Sequence, residues 1–373
     1  MFEVPPVVLA LAFIAVGVAA WLLGRHGGAR TVRLPRDYYV GLDHLINDRF
    51  DRAAEVFTRV AATNDDAAEI QFALGSLFRK RGEVDRAIAI HTRLKDHGAS
   101  AIRDQAALAL ALDYLSAGLM DRAERLFEGL AATREYRREA LEHLLRIYEQ
   151  QGDWANALKI FHELPADLMA ERRSVAAHYL CELAEHAIVQ GDAERARTLL
   201  KQAQTHDPTL SRTGILTARM LEAAGDARGA FERYLQSLES APGLALEVIP
   251  RLTALAARLG EANVIESLSA RLRGTGRLTP RQLAWLLATA LPPEESARFG
   301  ELTAELAALG AAGTPSIGQL LGRIGEAGGR YQCEECGLTS VGWFWRCPKC
   351  RSWDGMRPAI FKWAERTDEG AAH

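Results

Sequence analysis

Turn residues return along this chain at a nearly constant interval, and few folds accommodate such an interval. Asp48, Gly82, Gly118, Gly152, Gly191, Gly225 and Gly260 are spaced by 34, 36, 34, 39, 34 and 35 residues. Five positions after each of the first six stands an alanine: Ala53, Ala87, Ala123, Ala157, Ala196 and Ala230. Four positions further come Phe57, His91, Phe127, Phe161, Leu200 and Tyr234. Residues four apart share one face of a helix. Alanine therefore marks where two helices cross closely, and the larger side chain one turn on packs into the next helix. A two-helix unit of this size cannot bury its apolar face alone, so each unit must stack on its neighbours.

Helix is also what the composition favours. Aromatic residues make up 7% of the chain, and alanine, leucine, arginine and glutamate dominate it, a balance of strong helix formers. The repeat resembles the tetratricopeptide motif in length, in its crossing alanines, in Gly75 of the second unit's first helix, and in Pro208 and Pro242 closing the fifth and sixth units. The expected fold is all-α, a tetratricopeptide-repeat superhelix over residues 38–309. Departures are Asp48 at the first turn, Ile265 where the seventh unit should have alanine, and degenerate helices from Arg281 to Leu309. Terminal repeats are often atypical because they cap the array. The resemblance implies a groove that takes peptides or helices of other proteins. His91, His143 and His162 share no metal-ligand spacing, and Cys181 reads as a small core hydrophobe.

The N-terminal stretch Val4 to Leu23 carries no charge. At ~1.5 Å per residue such a helix spans roughly the ~30 Å hydrocarbon layer. Residues 1–24 are expected to form a transmembrane anchor, with Pro5 and Pro6 at its start and Trp21 near its far interface. A cleaved signal peptide fits less well, since Glu3 is the only charged side chain before the apolar run. Arg25, Arg30, Arg33 and Arg36 follow in a basic linker, 25–37, and by the positive-inside rule keep the remainder in the cytoplasm.

A linker, 310–330, leads to a different composition. Cys333-x-x-Cys336, ten residues, then Cys347-x-x-Cys350 can bring four thiolates around one metal ion. Four of the five cysteines lie within these eighteen residues. Such clustering points to metal ligation in a reducing compartment rather than to a disulfide framework. Residues 331–364 are too few for an unaided core, so the ion acts as the staple, and 365–373 is a tail. Gly337 suits a left-handed knuckle turn and Pro348 restricts the second, while Arg346, Lys349 and Arg351 are placed to offset the thiolate charge. Iron and zinc both accept four sulfurs. Two uses are open for Trp343, Trp345 and Trp353: shielding the cluster, or docking the module on the repeats.

Membrane helix, repeat array and terminal W-x-C-P-x-C-x-x-W knuckle, in that order, resemble the lipopolysaccharide assembly protein B family over the whole chain. The family's knuckle is rubredoxin-like, although here Arg351 replaces the glycine that follows the last cysteine of a rubredoxin, and the spacer between pairs is shorter. The resemblance implies a single-pass inner-membrane protein, its bulk facing the cytoplasm, that regulates lipopolysaccharide synthesis by bringing the deacetylase LpxC to the protease FtsH, opposed by the membrane protein YejM (LapC). Lipopolysaccharide as a direct ligand and a homodimer both stay open. A formal charge of −3 gives no bulk case for nucleic-acid binding, and the chain has no P-loop, GxSxG or HExxH motif, so no enzyme is expected. The rival readings are a rubredoxin-like electron-transfer protein using the same four cysteines, and a general envelope-assembly scaffold of opposite topology.

Overall fold

A computed structural model describes residues 36–47, 49–63, 68–261, 264–278 and 330–359. The expected anchor, most of the basic linker, Asp48 at the first turn, the degenerate helices from Arg281, the linker up to 329 and the tail lie outside the described residues. Among the described residues, no helix is long and apolar enough to cross a membrane.

Among the described residues the repeat region holds seven helix pairs: α1 (Arg36–Ile46) with α2 (Phe50–Thr63), α3 (Ala68–Lys80) with α4 (Val84–His97), α5 (Ser100–Ser116) with α6 (Met120–Ala131), α7 (Arg137–Gln151) with α8 (Trp154–Glu163), α10 (Arg173–Val189) with α11 (Ala193–His206), α12 (Ser211–Ala223) with α13 (Ala227–Ser240), and α14 (Ala245–Leu259) with α15 (Val264–Gly274). The longest turn spacing, 39 residues, arises because a short extra helix, α9 (Ala166–Glu171), is inserted between the fourth and fifth pairs. The chain divides into two units, residues up to Ile147 and residues from Tyr148.

The turns show why glycine recurs. Gly82, Gly118, Gly152, Gly191, Gly225 and Gly260 all have φ between 72° and 83°, the left-handed conformation that closes a helix at low steric cost only for glycine. The next residue then donates its N–H back into the finished helix, as Asp226 does to Leu221 at 2.9 Å. In three repeats that same residue opens the following helix. The carboxylates of Asp153, Asp192 and Asp226 accept from the backbone N–H groups of Asn156, Arg195 and Gly229 at 3.1, 3.0 and 2.9 Å, so two adjacent residues end one helix and cap the next.

All six crossing alanines are completely buried, and their partners one turn on, from Phe57 to Tyr234, are at most 3% exposed. The side chain of Ile265 lies outside the described ones. Close approach is visible at Gly75, where an added Cβ would sit 2.5 Å from the His91 ring, and at Gly41, where it would sit 2.8 Å from Phe57. A Gly75→Ala substitution is therefore expected to destabilise. Its overpacking cost of about 1–3 kcal/mol outweighs the roughly 1 kcal/mol of helix propensity gained. Gly129→Ala, at a helical site with nothing within 4 Å, should stabilise instead. Urea unfolding of the two variants checks the pair, and equal shifts would refute the crossing argument.

In the first unit, the core of α1 to α4 gathers Phe57, Ile70, Leu77, Phe78 and Ala87. In the second, the C-terminal module departs from the all-α expectation. Its strands β1 (Tyr331–Cys333), β2 (Thr339–Ser340) and β3 (Met356–Pro358) form an antiparallel sheet in the order β2-β1-β3, pairing Tyr331 with Ser340 and Cys333 with Met356. All-α holds for the repeats alone. The module's buried side chains Tyr331, Cys333, Cys347 and Met356 belong to the same cluster as Leu244, Ile249 and Leu252.

Candidate metal centre

Each cysteine pair is built on one tight turn. Strand β1 delivers Cys333, whose carbonyl accepts from Gly337 N–H at 3.0 Å while its own N–H donates to Leu338 at 2.8 Å. The second turn repeats the pattern, with Arg351 N–H donating to the Cys347 carbonyl and Cys347 N–H to Ser352, both at 2.8 Å. Left-handed residues follow each pair, Gly337 at φ 72° and Arg351 at φ 63°. The departure from glycine at Arg351 thus keeps the geometry but places a side chain in a region costing about 1–2 kcal/mol.

These turns bring Cys333, Cys336, Cys347 and Cys350 together, with all four sulfurs within 4.8 Å of one another. Cys333 and Cys350 are 3.7 Å apart and Cys336 and Cys347 3.6 Å. A tetrahedron with metal–sulfur bonds of ~2.3 Å has edges of about 3.8 Å, which these two pairs match, so the donor set fits one metal ion. Cys333 and Cys347 are buried and Cys350 is exposed. The Ser352 hydroxyl, 3.1 Å from Cys350 Sγ, and the Ser352 backbone N–H pull the Cys350 thiol down to about 6, toward the thiolate that a metal needs. With every position taken by sulfur, no coordination site is left for hydrolytic chemistry, which is the pattern of a structural ion. Cys181 stands apart, buried in α10, its thiol pushed up to about 12 by that burial.

A family model described as a rubredoxin metal binding domain matches residues 331–358, and a tetratricopeptide repeat model matches 41–100 and 108–167. Lipopolysaccharide assembly protein B of Escherichia coli K12 is 31% identical over 386 residues, covering 94% of this chain and 98% of the relative. This chain belongs to the lipopolysaccharide assembly protein B family. The Haemophilus influenzae protein of the same name is 27% identical, covering 93% of this chain and 98% of its own. Among solved structures, the C-terminal part of a tetratricopeptide-repeat protein from Cytophaga hutchinsonii aligns with a TM-score of 0.42 and 12% identity over 64% of this chain and 95% of that one.

In this member of the lipopolysaccharide assembly protein B family, the knuckle is seated on the helices of the second unit by polar and aromatic contacts. Arg346 donates to the Glu149 carbonyl at 2.6 Å, its guanidinium lies 3.5 Å from the Glu149 carboxylate, and it sits over the rings of Trp154 and Trp353. Tyr179 donates its hydroxyl to the same carboxylate, and burial, reinforced by Glu149, raises the Tyr179 phenol above its ordinary range. Trp353 stacks on His178 at 4.6 Å and meets Trp154 edge-on at 5.7 Å, while His178 Nε2 lies 2.7 Å from the Asp354 carboxylate. Tyr331 donates to Glu247 at 2.9 Å. Arg212, 1% exposed, binds Glu182 and Glu185 at 2.8 and 3.0 Å and lies 5.5 Å from the Trp345 ring.

The four predicted ligands are thus united. Trp353 and Trp345 dock the module, and Trp343 packs on Tyr331 and Trp345. Arg346, expected to offset the thiolate charge, donates both to the Arg351 carbonyl within the second knuckle turn and to Glu149, where a partly buried carboxylate and two indole faces favour a guanidinium. The docking partners Glu149, His178 and Arg212 carried no signal in the sequence beyond being polar residues within helices.

Arg346→Ala should loosen the module while leaving the cysteines intact. Losing a charged donor to a partly buried acceptor costs about 1.5–3 kcal/mol. The expected result is faster hydrogen exchange across 330–359 with unchanged metal content; exchange at the wild-type rate would show that the aromatic contacts suffice.

Proposed function

We propose that the chain is a non-catalytic adaptor of lipopolysaccharide assembly, anchored in the inner membrane by residues 1–24 with its bulk in the cytoplasm, which brings LpxC to FtsH for degradation and is opposed there by YejM. The observation that carries this is its membership, over nearly the whole length, in a family named for lipopolysaccharide assembly. The architecture supports it. Tetratricopeptide pairs recognise segments of other proteins, a closed thiolate site holds shape, and an anchor raises the effective concentration of a client near a membrane protease. The test is LpxC abundance after depletion of this protein in its native host, with and without FtsH activity. Accumulation that disappears without FtsH activity sustains the adaptor; unchanged LpxC sinks it.

One observation favours electron transfer as a second reading: Cys350 is exposed, which gives a bound iron one edge open to a redox partner. Visible spectra before and after dithionite decide. A carrier bleaches reversibly, whereas a zinc site shows no bleaching.

A further inference from the structure

Where the knuckle meets the last repeats there is a cleft of about 510 Å³, walled on one side by Trp343 and Trp345 and on the other by Pro242, Leu244 and Arg277. It adjoins a second hollow of about 280 Å³, sharing Ser211, Ser240 and Arg277 with it and adding Arg233 and Gln236. The charges along this double cleft do not cancel. Glu334 is engaged by Arg357 at 3.3 Å and Asp354 by His178 at 2.7 Å. Among the described residues, Arg277 reaches only the Ser240 carbonyl and Arg233 only the Gln236 side-chain oxygen. Neither guanidinium meets a carboxylate among the described residues. Helix α12 opens at Ser211 without a side-chain cap, adding the positive end of its dipole. The indole N–H of Trp343 is buried without an acceptor among the described residues.

We infer that this cleft binds an acidic peptide segment, its carboxylates on Arg277 and Arg233 and a neighbouring apolar side chain against Trp343 and Trp345. Two guanidinium groups with no carboxylate partner among the described residues, set beside two indoles, fit a chain that alternates charge with apolar bulk. The hydroxyl and amide groups between them suit a peptide backbone better than an acyl chain, which would need a continuous apolar tube. This deepens the adaptor reading and rests on it for the occupant being a protein client.

The test uses the full metal-loaded chain in detergent and a fluorescein-labelled octapeptide of alternating glutamate and leucine, compared with the same peptide carrying glutamine for glutamate. Fluorescence anisotropy should give the acidic peptide a Kd at least roughly tenfold lower, and Arg277→Glu should weaken it roughly tenfold or more, as loss and reversal of a charge-assisted bond requires. Metal content and helicity of the variant should not change. Arg233→Glu provides a second, independent variant on another helix. Equal affinity for the two peptides, indifference to both substitutions, or displacement by inorganic phosphate at the peptide's own Kd would each overturn the proposal. Since this reads binding by purified protein, a failure here is distinct from a failure of the LpxC abundance test.

Discussion

Cys347→Ser/Cys350→Ser is expected to abolish metal binding, release residues 330–359 from the helices and destabilise the second unit by about 3–5 kcal/mol, the cost of losing large buried aromatic contacts. The module holds three very short strands, far too little for independent stability, and apparent binding energies of ~10–16 kcal/mol for structural zinc show how completely such folds depend on their ion. Release would not be local. Tyr331 and Met356, both fully buried, leave the cluster they share with Leu244, Ile249 and Leu252. Trp353 leaves His178 and Trp154, and Glu149 loses Arg346. Metal analysis should fall from one ion per chain to none, and hydrogen exchange should accelerate in 330–359 and in α14. A variant that keeps wild-type protection there would show that the knuckle stands without its staple.

Asp113→Ala should cost a similar amount, about 3–5 kcal/mol, because it strands buried polar partners. Asp113 and His91 are both completely buried, their side chains 2.5 Å apart, and Arg79 reaches the other carboxylate oxygen at 2.7 Å. His91 occupies the position that is phenylalanine in three other repeats. It faces Gly75 just as Phe57 faces Gly41, so the site already has the shape for a phenyl ring. His91→Phe/Asp113→Leu is therefore expected to recover most of the loss, Arg79 being 21% exposed and free to turn to solvent. Urea unfolding of the single and double variants gives both numbers. A single variant costing less than about 1 kcal/mol would place the network among dispensable polar contacts.

Much of this protein was legible before any coordinates. The turn interval, the crossing alanines and the larger residues one turn on identified the repeat, and the structure buries each of those side chains that it describes. The reason is that contacts between neighbouring repeats recur at separations near one repeat length: Arg79 to Asp113 spans 34 residues, and Tyr179 to Glu149 and Arg212 to Glu182 each span 30. Contacts repeated about one repeat length apart leave a periodic trace. The metal ligands were equally plain, since C-x2-C turns are local and set their own geometry.

What the tertiary structure alone decided is how the cysteine module is held. His178 meets Asp354 across 176 residues, Arg346 meets Glu149 across 197 and Tyr331 meets Glu247 across 84. Each of these contacts is made once, at its own separation, so none leaves a periodic pattern. The sequence determined the helical repeats and the thiolate cage because both follow from short-range periodicity and turn chemistry. The seating of one on the other was settled only in the folded molecule, where a partly buried carboxylate and a set of stacked rings take partners that chain order does not reveal.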